Sequence, residues 1–563
     1  MRKILATALL FATTSAMAAI RDPVAARHGM VASTSVIASR VGVDIMKKGG
    51  NAVDAAVAVA FALAVTWPAA GNLGGGGFML LRMADGTSEA IDYRERAPLA
   101  ATRDMYLDAN GNVIKGASID GYKAVGVPGT VAGLMLVHAR YGKLKWNELV
   151  EPARKLADEG FIVSSFLDDV LHQAESLKKM NPWPESRRIF LRDGRNYSMG
   201  DRFRQPELAA TLARIEKNPR DFYEGVTARR IVAGMRAHGG LITMQDLREY
   251  KPAIRKPLRG TYRGHDFLVM PPPSSGSIAM IEMLHMLEHY DVGSMGWQSA
   301  RYLHLLTEVM RRAFADRAEF LGDPDFNKMP VAALTSAAYA DERRKTIDLE
   351  HASSSKEIRA GDPAPFEHTD TTHFSIVDKD GSMVSNTYTL NDWFGSGVTA
   401  KGTGILLNNE MDDFTSRPGV PNDYQLIQSE KNAIAPRKRP LSSMTPLIVL
   451  DHGKPWLAVG AAGGPRIIST VLQIVLSIVD FHVSLQEAVD AGRIHHQWLP
   501  DEIYWEPNGT NPDTRAILER MGHKFRAKGL EDISDANVVM IDPKTGLRYG
   551  GADARRDGVA VGY

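Results

Sequence analysis

Residues 371–390 read TTHFSIVDKDGSMVSNTYTL. His373 to Val377 is rich in strand-favouring side chains, Asp378-Lys379-Asp380-Gly381 carries turn residues, and Met383 to Leu390 resumes the strand pattern. Two strands around a compact polar turn predict a β-hairpin. Residues 351–370, HASSSKEIRAGDPAPFEHTD, are polar, with Gly and Pro and few apolar side chains. That composition predicts an exposed, flexible connection. The chain thus changes character sharply at Thr371.

Upstream, Val41 to Thr66 predicts two helical pieces broken at Gly49-Gly50-Asn51, the second (Ala52 to Val65) buried against a sheet. Gly71-Asn72-Leu73-Gly74-Gly75-Gly76-Gly77 then leads into a strand-like Phe78 to Met83. No Gly-Lys-Ser/Thr follows and no helix opens there, so a phosphate loop is excluded and close backbone packing is expected. Residues 120–340 predict mostly helix, interrupted by a loop at Pro271-Pro272-Pro273-Ser274-Ser275-Gly276. Beyond the hairpin, short strands and Gly-Gly pairs mix with helices such as Val471 to Val479. The whole predicts a layered α and β architecture.

The chain has 563 residues, 44% apolar and 24% charged, with net charge +1. This fits a globular protein and gives no pointer to a polyanionic partner. Arg2 and Lys3, the apolar Ile4 to Phe11, and Ala16-Met17-Ala18 describe a secretory leader over 1–18, cut after Ala18 or Ala19. A periplasmic or secreted protein without a membrane span is expected. The sequence has no cysteine. That excludes a thiol nucleophile and Cys-ligated metals, leaving Ser, Thr, Lys or a carboxylate as the nucleophile.

Three chemistries compete. His285-Met286-Leu287-Glu288-His289 matches the H-x-x-E-H zinc pattern, but its helix is apolar nearly all round and no third ligand stands out. His495-His496 is weaker, since adjacent strand side chains point apart. A serine hydrolase lacks its G-x-S-x-G elbow, and nothing beside Ser442-Ser443 supplies a base. Thr371 is the third candidate. A threonine at a chain start carries its own base, the α-amine, with an ordinary pKa of about 7.7–8.0. The bond before Thr371 must break first. By local pattern alone, a threonine at a strand start is also ordinary β-structure.

Thr371-Thr372-His373-Phe374-Ser375-Ile376, Gly381-Ser382-Met383-Val384-Ser385, Thr387-Tyr388-Thr389-Leu390-Asn391 and Phe394-Gly395 closely resemble the signature of the γ-glutamyltranspeptidases. The match spans 25 positions, 371 to 395. The resemblance continues through GGNAVDAAVA, the glycine loop, PPPSSG, NNEMDDF, RPLSSMTP, AAGGPR and HHQWLPDE. It implies an N-terminal nucleophile hydrolase, an α+β fold with a four-layer αββα sandwich. It implies self-cleavage between Asp370 and Thr371, giving a large subunit 19–370 and a small one 371–563 that share one core. The resemblance makes Thr371 the nucleophile and puts Thr389 near its amine. It gives Arg94, Ser442 and Ser443 the substrate α-carboxylate, and Asn391, Glu410 and Asp413 the α-ammonium. Many bacterial relatives have Gln in place of Glu410. Gly463 and Gly464 match the oxyanion hole, followed by Pro465 where relatives often have Ser. Pro418 to Ser429 resembles a lid loop closed by Tyr424. The implied reaction transfers a γ-glutamyl group, as from glutathione, to water or to amino acid and peptide acceptors, with no metal or organic cofactor. The rivals are a sister acylase for glutaryl or cephalosporin side chains, a processed but inactive binding protein, and a zinc peptidase.

Overall fold

The computed structural model describes residues 21–362, 372–507, 509–527, 529–530 and 533–563, and the backbone of 368–369. The leader, Asp370 and Thr371 lie outside the described residues. Two seven-stranded sheets carry the fold. Their strands in chain order are β1 (Val24–Ala26), β2 (Met30–Ser33), β3 (Gly76–Arg82), β4 (Ser88–Asp92), β5 (Ala253–Arg255), β6 (Leu258–Tyr262), β7 (His265–Val269), β8 (Thr372–Val377), β9 (Met383–Thr389), β10 (Leu447–Asp451), β11 (Lys454–Ala462), β12 (Asp535–Ile541), β13 (Arg548–Ala552) and β14 (Val559–Gly562). The first sheet runs β14-β2-β8-β9-β3-β4-β5, and the second β1-β13-β12-β11-β10-β7-β6.

Strand alternation sorts the side chains into layers. Phe78 and Leu80 join Ile448, Ala458 and Val539 in an apolar layer between the sheets. Met79 and Leu81 instead join the layer beneath helices α1 (Val36–Lys47) and α2 (Ala52–Thr66). Leu447, Val459 and Val538 of the second sheet pack with α3 (Gly276–Leu287), α4 (Ala300–Phe320) and α5 (Arg466–Val479). The order is helices, sheet, sheet, helices, the expected αββα sandwich. Every residue of α2 is buried, in keeping with its Ala and Val content.

The hairpin of β8 and β9 forms as the sequence predicts, with Thr372 opposite Tyr388 and Val377 opposite Met383. Its inner face carries a polar seam. His373 Nδ1 meets Thr387 Oγ1 at 2.9 Å and Nε2 meets Ser375 Oγ at 2.8 Å. Ser375 Oγ donates to the Asn537 carbonyl (3.0 Å), and Asn537 Nδ2 donates to the His373 carbonyl (3.1 Å). Ser375 must therefore accept from His373, so Nε2 bears the proton and Nδ1 accepts from Thr387. Burial pushes the His373 pKa down to about 3, leaving the ring neutral. A Cβ at Gly460 of β11 would stand 2.4 Å from this ring.

The glycine loop works by close approach. Asn72 Nδ2 donates to the Thr389 carbonyl (2.7 Å), and the Gly75 carbonyl accepts from Gly129 and Thr130 N–H at 2.8 and 3.0 Å. Three expectations need correction. The first helix starts at Val36, before the apolar run at Val41, because Ser35 caps it by accepting from Ala38 N–H. The middle is not all helix: β5, β6 and β7 lie in it, and the last two are built on β-favouring residues around the Arg263-Gly264 turn. Residues 351–370 are not simply an exposed connection. Ser355 is fully buried, its hydroxyl on Arg311 and its N–H on Asp501 Oδ2 at 2.9 Å. The backbone of 368–369 pairs in parallel with Ser442–Ser443. Polar composition concealed this docking because buried arginines need polar partners.

Gly75→Ala would set a methyl 1.8 Å from the Thr389 carbonyl oxygen. Backbone has to shift, at a cost of about 1–3 kcal/mol. We expect a lower melting temperature than wild type in a thermal melt; an unchanged one would show that the loop yields freely.

Candidate active site

β9 ends at Thr389, and the chain then turns sharply. Thr389 Oγ1 accepts from the Asn391 N–H at 2.7 Å, and Asn391 sits at φ 76, a left-handed conformation that asparagine tolerates. Its Nδ2 donates to the Asn409 carbonyl at 3.2 Å, which sets the side chain beside the 3₁₀ turn Glu410–Asp413. Arg94 arrives from the end of β4, its N–H on Asp92 Oδ1 at 3.1 Å. The guanidinium bonds both Glu410 and Asp413, and also donates to the carbonyls of Pro440 (3.2 Å) and Leu441 (2.9 Å). Glu95 stands 3.6 Å away. All four charged side chains are fully buried.

One cation serves three carboxylates in a dry interior. Burial, then the Glu410 charge, raises the Glu95 pKa well above the carboxylate range. Burial raises that of Asp413 too, against the pull of Arg94. Burial opposes the charge on Arg94, but Glu410 and Asp413 outweigh it and raise its pKa. Among the described residues, no N–H or hydroxyl group donates to the buried Glu410 Oε2 and Asn391 Oδ1, and the carboxyls of Glu95 and Asp413 lie within hydrogen-bond reach of Glu410.

Ser442 and Ser443 follow the Pro440 and Leu441 carbonyls that bind Arg94. Ser443 Oγ accepts from Arg317 at 2.7 Å, and Ser442 Oγ accepts from the Met444 N–H at 3.2 Å. Gly463 and Gly464, at φ 131 and 71, link β11 to α5. Neither N–H donates to a described residue. Gly463, Asn391 and Tyr424 line a cavity of about 720 Å³, within the range of small-molecule sites. Tyr424 Oη donates to Asp392 Oδ1 at 2.5 Å, while Lys179 Nζ and Asn409 Nδ2 each reach Asp392 Oδ2 at 2.7 Å. The Tyr424 carbonyl accepts from Gln497.

The structure bonds Arg94 to Glu410 and Asp413 and sets Asn391 and Thr389 beside their 3₁₀ turn, while Ser442 and Ser443 follow in the chain the Leu441 carbonyl that Arg94 bonds. Gly463 and Tyr424 meet Asn391 at the cavity. Sequence reading missed Glu95, although it directly follows Arg94 in the chain. It also missed Asp392 and its partner Lys179, 213 positions apart, a distance no local pattern spans. His285 and His289 do not form a metal centre: among the described residues no group of three metal-ligating side chains exists. His289 instead faces Asp341 at 3.6 Å.

Residues 38–563 match the sequence model of the γ-glutamyltranspeptidases. The chain belongs to the γ-glutamyltranspeptidase family. It is 49% identical over 543 residues to a glutathione hydrolase proenzyme of Escherichia coli, covering 96% of this chain and 93% of the relative. A glutathione hydrolase proenzyme of a Pseudomonas species is 48% identical, covering 100% and 99%. Among solved structures, the cephalosporin acylase of Bacillus halodurans superposes with a TM-score of 0.86 at 28% identity, covering 99% of both chains. This γ-glutamyltranspeptidase-family chain thus shares its sandwich with enzymes of different named substrates.

Two outcomes follow for this site. Arg94→Lys keeps the charge but loses the fork that holds two carboxylates and two carbonyls. We expect kcat/KM on a γ-glutamyl anilide to fall about 100-fold, for roughly 3 kcal/mol of lost charge-assisted bonding; wild-type kinetics would exclude the fork from binding. The second concerns the loop around Tyr424. Burial, with the charges of Asp392 and Asp423, pushes Asp412 up to about 7, and burial pushes Asp423 up to about 6. Such raised groups stabilise the fold fully below their unfolded pKa near 4 and lose that contribution as pH rises through 6 to 7. Amide hydrogen exchange, corrected for its intrinsic pH dependence, should show residues 418–429 better protected at pH 5 than at pH 8. Equal protection would remove these carboxyls from control of the loop.

Proposed function

We propose that this chain is a proenzyme that cuts itself between Asp370 and Thr371, then acts as a glutathione hydrolase and γ-glutamyltransferase. The observation that carries the substrate class is the pair of buried acceptors, Glu410 Oε2 and Asn391 Oδ1, that receive no N–H or hydroxyl among the described residues, the first on a carboxylate bonded to Arg94. An α-ammonium brings three N–H donors, and an α-carboxylate suits the guanidinium fork. Only an α-amino acid end carries both. A glutaryl group has no ammonium, so it would leave those acceptors unmatched, which disfavours the acylase reading despite the shared fold.

Thr371 directly precedes Thr372, the first residue of β8. That supports its part as nucleophile beside Thr389, whose neighbour Tyr388 pairs with Thr372. In processing, the Thr371 hydroxyl attacks the Asp370 carbonyl, the peptide nitrogen leaves as the new α-amine, and water opens the resulting ester. In turnover, that amine takes the hydroxyl proton as Thr371 attacks the γ-carbonyl, and returns a proton to the departing amine. Gly463 and Gly464 N–H groups stabilise the oxyanion. Water or an amino acid or dipeptide then takes the γ-glutamyl group. The products of processing are subunits 19–370 and 371–563, exported by the leader to the periplasm or beyond. In the uncut chain, the 368–369 backbone lies along Ser442–Ser443. Cutting frees this edge for the substrate carboxylate.

A denaturing gel with mass spectrometry tests the reading. Wild type should give two fragments divided before Thr371, and Thr371→Ala a single chain. An active wild type that stays whole, or a Thr371→Ala protein that still divides there, would overturn it. Hydrolysis of γ-glutamyl anilide well above glutaryl anilide is expected; the reverse preference would favour an acylase.

A further inference from the structure

Two of the cations around the 720 Å³ cavity already have carboxylate partners, while Lys115 and Lys178 line it as flexible ammonium groups with no rigid fork. Lys179 is held by Asp392 at 2.7 Å, and Arg556 by Asp535 at 2.6 Å. Arg466 differs. It opens α5, two residues after Gly464, and lines the cavity together with Gly463 and Asn391. It is only half-buried, and its Nε donates to the Gly463 carbonyl at 2.6 Å. That bond fixes the plane of the guanidinium. Among the described residues, no carboxylate pairs with its terminal nitrogens.

A partly desolvated guanidinium, held by one nitrogen and unpaired at the others, is a fork for a planar carboxylate. The donor's α-carboxylate does not need it, because Arg94 serves that end and does not line this cavity. Glutathione has one other carboxylate, on its C-terminal glycine. The amine released from the γ-carbonyl and that carboxylate belong to one dipeptide, with ends at most about 7 Å apart. Arg466 is anchored to a glycine assigned to the oxyanion hole, on the wall beside the reacting carbonyl. We propose that Arg466 binds the C-terminal carboxylate of the dipeptide leaving group, and equally that of a dipeptide acceptor entering by the reverse path. This rests on the γ-glutamyl reading above.

The test compares glutathione with glutathione amidated at its glycine carboxyl, using processed wild type, Arg466→Gln and Arg466→Lys. Wild type should prefer the acid about tenfold in kcat/KM, chiefly through KM, as for one charge-assisted contact. Arg466→Gln should bring the ratio close to one, and Arg466→Lys should keep part of it. A role confined to holding Gly463 would slow both substrates alike and leave the ratio intact, which would overturn the proposal. A wild-type ratio near one would overturn it without any variant. A wild type that cleaves neither substrate, nor γ-glutamyl anilide, would instead sink the γ-glutamyl reading itself.

Discussion

Three buried carboxylates, those of Glu95, Glu410 and Asp413, face the single guanidinium of Arg94. An uncompensated charge in such a place is costly, and breaking a buried pair costs roughly 3–5 kcal/mol. The elements around the site answer to this one constraint. β4 delivers Arg94, the 3₁₀ turn delivers two of the acids, and the loop before Ser442 turns two carbonyls onto the same guanidinium. Burial raises the pKa of Glu95 and Asp413, which eases the excess negative charge. On the proposed reading, the carboxylate of an α-amino acid end would compete for Arg94 while its ammonium took over the acids. A site complementary to a zwitterion is complementary to itself, and that reading accounts for the bonds between its two halves.

The second constraint is rigidity beside the proposed nucleophile. β8 starts one residue after Thr371, and its inner face carries His373 and Ser375 where most of the sandwich carries apolar residues. A buried hydrogen-bond network specifies one arrangement more sharply than apolar contacts alone. His373, Thr387, Ser375 and Asn537 form such a network across the two sheets, with Asn537 Oδ1 alone of these groups finding no donor among the described residues. Gly460 leaves the space the imidazole needs. The strand that begins at Thr372 is thus pinned to the opposite sheet as well as to its hairpin partner.

Much of this was legible in the chain. The hairpin, the buried α2 and the packing role of the glycine loop each follow from local patterns, because each is decided by residues close in sequence. β6 and β7 were hidden, since a short hairpin inside a largely helical stretch offers little periodicity. The docking of Ser355 was hidden because its partners, Arg311 and Asp501, are remote and only a fold brings them together. The same holds in the site. Arg94 and Glu410 follow from a family pattern, whereas Glu95, the next residue after Arg94, carries no signal of its own in the sequence. Only burial shows that it shares one proton economy with its neighbours.

The acylase likeness shows what the fold leaves undecided. A TM-score of 0.86 at 28% identity means that the sandwich tolerates wide change in sequence. A shared sandwich does not choose the substrate; side chains at its mouth do. Here the choice is divided between two places of different character. The cluster of Arg94, Glu410 and Asp413 is dry and strongly charged, so in its proposed role it would discriminate by leaving unmatched groups unpaired, the costliest kind of error. The cavity along Gly463 and Tyr424 is open and of mixed polarity, so it tolerates variety in whatever departs or arrives. Strictness at one end and tolerance at the other is what a transferase needs when the donated group is fixed and its carriers differ.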